Sequence, residues 1–191
     1  MRVALGFKAH SGWAALIGVG ERDGDVEMTD RRRIALVDEE WQKQPYHAAE
    51  HLRSAAARDT VARGIDAAKK GAVRELQAAI ARAHERHEDV SACAVLVGNP
   101  MPEWSVDEIL AVHFRMHKAE GVLFRDVLLH AAAACGLRPV AVPEKASADD
   151  RGLQRTIEKL GKSAGPPWGK DQKDAARAAL IALKNPIASR S

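Results

Sequence analysis

Aromatic residues are scarce: four tryptophans, three phenylalanines and one tyrosine make up 4% of the 191 residues. That scarcity argues against a nucleic-acid binder that stacks bases on interleaved aromatic side chains. Cysteine is scarcer still. Cys93 and Cys135 both fall in apolar stretches, which suits buried free thiols rather than a disulfide or redox pair. No apolar run reaches about 18 residues, so no membrane span is expected. Lys8 and His10 interrupt any basic-then-apolar leader at the start, and a cytoplasmic address follows as an expectation. Internal repeats are absent. Neither sign of charge dominates. Lys and Arg number 29 against 26 Asp and Glu, a net +3 with pI near 9.0, which permits nucleic acid without demanding it. The basic clusters Arg31-Arg32-Arg33, Lys69-Lys70 and Lys170 with Lys173 read, taken singly, as solvated surface.

What is present is a globular composition, 46% hydrophobic and 29% charged, in a chain long enough for a real core. We read one domain over residues 1–185 and a short tail over 186–191. Residues 2–8, 13–20 and 26–37 carry strand patterns separated by the turns Ser11-Gly12 and Asp23-Gly24, an antiparallel meander. Alanine-rich text with helical spacing runs over 47–87, and Gly64 and Gly71 predict a break between two helices. The run Ala92-Cys93-Ala94-Val95-Leu96-Val97 ends at Gly98-Asn99-Pro100 and reads as a buried parallel strand. Ser105 with Glu108 has capping-box form and opens a long helix that ends at Gly136. A short strand over 139–142, a helix capped by Ser147 or Asp150 and ending near Gly161, a loop over 161–169, and a last helix over 171–183 complete the order. Strands alternating with helices after a meander imply an α/β fold with a mixed five-stranded sheet and helices on both faces.

This order resembles the ribonuclease H-like fold, and within it the RuvC-type Holliday junction resolvases. The likeness rests on Leu5-Gly6-Phe7 leading to Ser11-Gly12-Trp13-Ala14, on residues 95–98 as a fourth strand, on residues 118–122 through 134–140 as a long helix and fifth strand, and on residues 173–180 as the start of the last helix. The resemblance implies phosphodiester hydrolysis by two metal ions. It implies an acid on the first strand, another near the end of the fourth, and an i, i+3 pair on the last helix. The first-strand position carries Lys8. The fourth strand offers Val97, Gly98 and Asn99, with no acid before Glu103. On the last helix Asp174 fits the first acid and Arg177 stands at the second, unless the register shifts to Asp171 with Asp174. Hard divalent cations need several converging carboxylates, so a site that gains a lysine and an arginine should repel them.

The leading expectation is therefore a RuvC-like pseudo-nuclease that binds nucleic acid, DNA or RNA, or a nucleic-acid-processing partner. Its binding residues would be Lys8, His10, Ser11, Arg177, Lys170, Lys173 and Trp168, with no cofactor. Lys8 would replace the metal by pairing with Asp174, or else simply point to solvent. A divergent nuclease using Asp171 and Asp174 with Mg or Mn, and helped by Glu144 or Glu120, is the alternative. A structural homodimer, with the helix from Ser105 at its interface, is a further one. His113, His117 and Glu120 share a helical face at i, i+4 and i+7, a spacing that can hold zinc, although polar groups packed on a neighbour are the more usual reason for such a face. His47 and His51, beside Tyr46 and Glu50, read as capping or solvent-facing residues. The turn from Lys8 to Gly12 could hold an anion or could merely reverse the chain. The loop of residues 162–170 lacks Walker spacing, and Trp168 would be either displayed or tucked under.

Overall fold

The computed structural model describes residues 1–146 and 149–185, so the tail assigned to 186–191 and the cap assigned to Ser147 lie outside the described residues. The sheet is built from β1 (Arg2–His10), β2 (Trp13–Arg22), β3 (Asp25–Ala35), β4 (Asp89–Val97) and β5 (Arg138–Pro143), in the order β3-β2-β1-β4-β5. The first three strands pair antiparallel, whereas β1 with β4 and β4 with β5 pair parallel. The helices are α1 (Pro45–Ala49), α2 (Ser54–Glu85), α3 (Val106–Leu110), α4 (His113–Ala134), α5 (Arg151–Ala164) and α6 (Lys170–Lys184), with a short 3-10 turn at Glu40–Lys43.

Alternation along β1 sorts the two helical layers, because successive side chains point to opposite faces. Val3, Leu5 and Phe7 pack with Ala68, Ala72 and Leu76 of α2 and Phe124 and Leu128 of α4. Ala4 faces the other way, with Ala175, Ala176 and Ala179 of α6 and Leu153 and Leu160 of α5. Gly6 shares that second face. A methyl group there would come within 2.0 Å of the Ala175 carbonyl oxygen, so α6 lies directly on the strand backbone.

Three expectations are corrected. Helix α2 runs unbroken for 32 residues. Its glycines mark close approaches instead of a break: a Cβ on Gly64 would meet Pro45 at 2.4 Å, and one on Gly71 the Leu36 carbonyl at 2.0 Å. The helix opening at Ser105 is split, because Val112 adopts extended backbone (φ −139°) between α3 and α4. Ile109 and Met116, on either side of that split, both reach the small core formed with Tyr46 and Val61. Helix α5 continues past Gly161 to Ala164, because Trp168 folds back and covers the bare glycine, where a Cβ would lie 2.3 Å from the indole. The capping box holds, with Ser105 N donating to Glu108 at 2.8 Å, and so does the Asp150 cap, which accepts from Leu153 N at 3.0 Å. Both cysteines are free, and burial pushes the Cys93 thiol far up.

Candidate nucleic-acid interface

The parallel strands converge at their carboxyl ends, the usual place for ligand sites in open α/β sheets. The last β1–β4 pair is Phe7 with Val95, and Lys8 lies one residue beyond it. The last β4–β5 pair is Val97 with Pro143, and Glu144 lies one residue beyond that. Because Lys8 and His10 share the face of Gly6, they rise past the glycine contact towards the first turns of α6. Strand alternation and one side-chain-free contact thus bring the ends of β1 and β5 together with the start of α6.

Lys8 Nζ donates to Glu144 Oε1 at 2.8 Å, with its side chain only 16% exposed. Arg125, from α4, approaches the same carboxylate at 3.9 Å. The hydrogen bond from Lys8 holds the Glu144 carboxyl below the usual glutamate range. The expected pairing of Lys8 with Asp174 is therefore wrong: Glu144, close past the end of β5, takes the ammonium first. Asp174 is buried and doubly held from its own helix, accepting from Lys170 at 2.6 Å and from Arg177 at 2.8 Å. Asp174 in turn holds the Lys170 ammonium above its usual range. Asp171 lies 3.1 Å from His10 Nε2. The imidazole of His10 stacks on Trp13, with centroids 4.2 Å apart and planes 9° from parallel, and the Arg33 guanidinium covers the same indole at 3.9 Å.

The charge count is plain. Lys8, Arg125, Lys170 and Arg177 face Glu144, Asp171 and Asp174, four fixed cations against three carboxylates. Among the described residues these acids do not form a group of converging metal donors. Beside them, a cleft of about 270 Å³ is lined by Leu153, Ile157, Lys170, Lys173, Asp174 and Arg177. Lys173 and Ser11 are exposed, and Lys170 is 82% exposed along its side chain. The chemistry such a surface offers is recognition of an anion.

The structure gathers Lys8, His10, Asp171, Asp174, Lys170 and Arg177 at one end of the sheet. Ser11 sits at the hairpin tip. Trp168 is tucked: it packs beside Gly161 in the core shared with α6, and Arg31 pins its loop by donating to the Gly165 carbonyl at 2.8 Å. Sequence reasoning missed Arg125, which carries no motif, and the Trp13 stack, which follows from the His10–Trp13 register across the hairpin. The histidines are placed differently. His113 and His117 meet at 3.1 Å between their Nε2 atoms, but Glu120 turns inward and accepts from His47 Nδ1 at 2.7 Å. His47 is thus neither a cap nor a free surface residue.

No family model and no curated protein matches this sequence. Solved structures do. The Thermus thermophilus RuvC in complex with a Holliday junction substrate is 14% identical, over 94% of this chain and 91% of that one, with a TM-score of 0.50. A second structure of Thermus thermophilus RuvC is 12% identical over 93% and 91%, with a TM-score of 0.47. With the strand order and the layered helices, the first of these likenesses shows the fold: this chain has a ribonuclease H-like, RuvC-like α/β architecture.

Proposed function

We propose that this chain is a non-catalytic RuvC-like protein that binds nucleic acid across the carboxyl ends of its parallel strands. One observation carries the reading. The acids at that end of the sheet, Glu144 and Asp174, are each gripped by two fixed cations. A hydrolytic metal pair would have to displace all four cations and draw the acids into one shell. A phosphate needs no such rearrangement, since Lys170 and Lys173 already present ammonium groups beside Arg177. Trp168 shapes the loop that leads into α6 and does not stack on a base. The RuvC structure of the same fold was solved on a Holliday junction substrate, which makes branched duplex DNA the first ligand to try.

Gel-shift titration at low salt with branched, duplex and single-stranded oligonucleotides tests this. The expected result is retention that weakens steeply as salt rises. Lys170→Ala and Lys173→Ala should each weaken it for all sequences alike. Absence of retention on every oligonucleotide would remove the proposal. Cleavage of any of them in manganese, lost in Asp174→Asn, would replace it with a divergent nuclease.

A further inference from the structure

On the opposite side of the sheet from α6, three histidines from two helices converge. His47 comes from α1, and His113 and His117 from the first two turns of α4. One ring nitrogen from each lies within 4.8 Å of the other two. The rings of His113 and His117 stand edge to face with centroids 4.6 Å apart, and their Nε2 atoms are 3.1 Å from each other. His47 closes the triangle, with its centroid 5.2 Å from His113 and 4.6 Å from His117.

The surrounding acids sit behind the rings, not among them. Glu120 has a side chain only 4% exposed. It takes one hydrogen bond from the His47 backbone N at 3.1 Å and shares a second with His47 Nδ1 at 2.7 Å. A carboxylate on Nδ1 fixes the tautomer and leaves the Nε2 lone pair facing outwards. That nitrogen has no hydrogen-bond partner among the described residues. Glu50 Oε1 lies 3.5 Å from His113 Nδ1, the same arrangement in looser form. A carboxylate behind an imidazole, on the nitrogen away from the site, is how metal-bound histidines are oriented and made more basic.

We propose that His47, His113 and His117 form a binding site for a divalent cation of the zinc class, with Glu120 and Glu50 as orienting acids. Zinc–nitrogen bonds of about 2.0–2.1 Å in a tetrahedron place neighbouring nitrogens about 3.3 Å apart. The His113–His117 pair already stands near that spacing, and the His47 nitrogen, within 4.8 Å of both, would close the remainder by a shift of its ring. Imidazole nitrogen favours zinc and its transition-metal neighbours over magnesium or calcium, which seek oxygen. The charge balances as well, since two carboxylates in the outer layer offset one dication held by neutral rings. His113 is 62% exposed along its side chain, so the fourth coordination position opens to solvent and would hold a water or a small ligand. The site uses none of the residues assigned to nucleic-acid binding and stands apart from that reading.

The test is a competition titration of the full chain with zinc chloride against a chromophoric chelator. It is paired with cobalt(II) loading, whose visible spectrum reports coordination number and distinguishes nitrogen and oxygen ligation from thiolate. One equivalent of zinc per chain is expected. His113→Ala and His117→Ala replace exposed side chains, should keep the wild-type circular dichroism, and should abolish that stoichiometric uptake. Glu120→Gln should weaken affinity about 10–100-fold while cobalt still binds. Should the Glu120 variant fail to fold, the two exposed histidines decide alone. A folded wild-type chain that takes up no zinc would overturn the assignment, and so would full uptake by both histidine variants. A cobalt spectrum showing thiolate ligation would do the same, by moving the metal to the cysteines.

Discussion

Gly6 is the residue on which the geometry of the interface turns. A glycine inside a strand ordinarily weakens it by about 0.5–1 kcal/mol relative to alanine. Here a methyl group would fall 2.0 Å from the Ala175 carbonyl and 2.6 Å from the Ala179 nitrogen, both backbone atoms that cannot swing aside. Gly6→Ala should therefore destabilise the protein by roughly 3 kcal/mol, the upper range for overpacking. Urea unfolding measures it, and it should also weaken nucleic-acid retention, since Lys8 and α6 would separate. Glu144 allows a second test. Its carboxyl is held below the usual glutamate range by Lys8. A lowered folded pKa gives stability that is complete above the unfolded value, about 4.3, and lost as pH falls through the folded one. Glu144→Gln should thus leave an acid-unfolding curve with a shallower fall below about pH 4. The pair is partly exposed, so the difference near neutrality should stay within about 1 kcal/mol.

Among the elements, those specified locally were legible in the sequence. Strand-type runs set off by turns placed β1 and β2, and a continuous apolar run placed β4. The serine of the capping box placed the start of α3, and Ser105→Ala should cost about 1 kcal/mol, read from thermal unfolding. What local pattern could not show was where another element presses against a helix. Gly64 and Gly71 look like breaks because a helix interior disfavours glycine. Their reason lies on the residues they touch, Pro45 and Leu36, which only the folded chain brings near. Gly71→Ala should accordingly destabilise despite its better helix propensity, and a urea midpoint at or above wild type would contradict this contact. The same limit hid the histidine triangle. His113 and His117 are visible as an i, i+4 pair, but His47 lies 66 positions before His113 in the chain. The spacing therefore suggested Glu120 as the third ligand, and the fold makes it the group behind His47.

At the scale of the molecule, a net charge of +3 says little, and the arrangement of that charge says more. The cations at the carboxyl end of the sheet belong to β1, α4 and α6, so no segment of sequence is strongly basic where they gather. Lys8 was recognisable as an unusual residue, and its partner was not, because β5 had to be placed before Glu144 could reach it. If duplex DNA lies across this face, each phosphate contact should add about 0.9 to the slope of log affinity against log salt. The Lys170→Ala, Lys173→Ala double variant should thus lower the slope by about 2, measured by fluorescence anisotropy across a salt series. The far margin of the sheet has a different consequence. Strand β5 carries Pro139 and Pro143, neither of which has an N–H to give. Glu144 N donates inward to the Val97 carbonyl, so residues 139, 141 and 143 face the outer edge. A second molecule trying to continue the sheet there would find donor gaps at two of those three positions, an obstacle to runaway strand-by-strand polymerisation. Fibre growth by strand addition along β5 is thereby disfavoured.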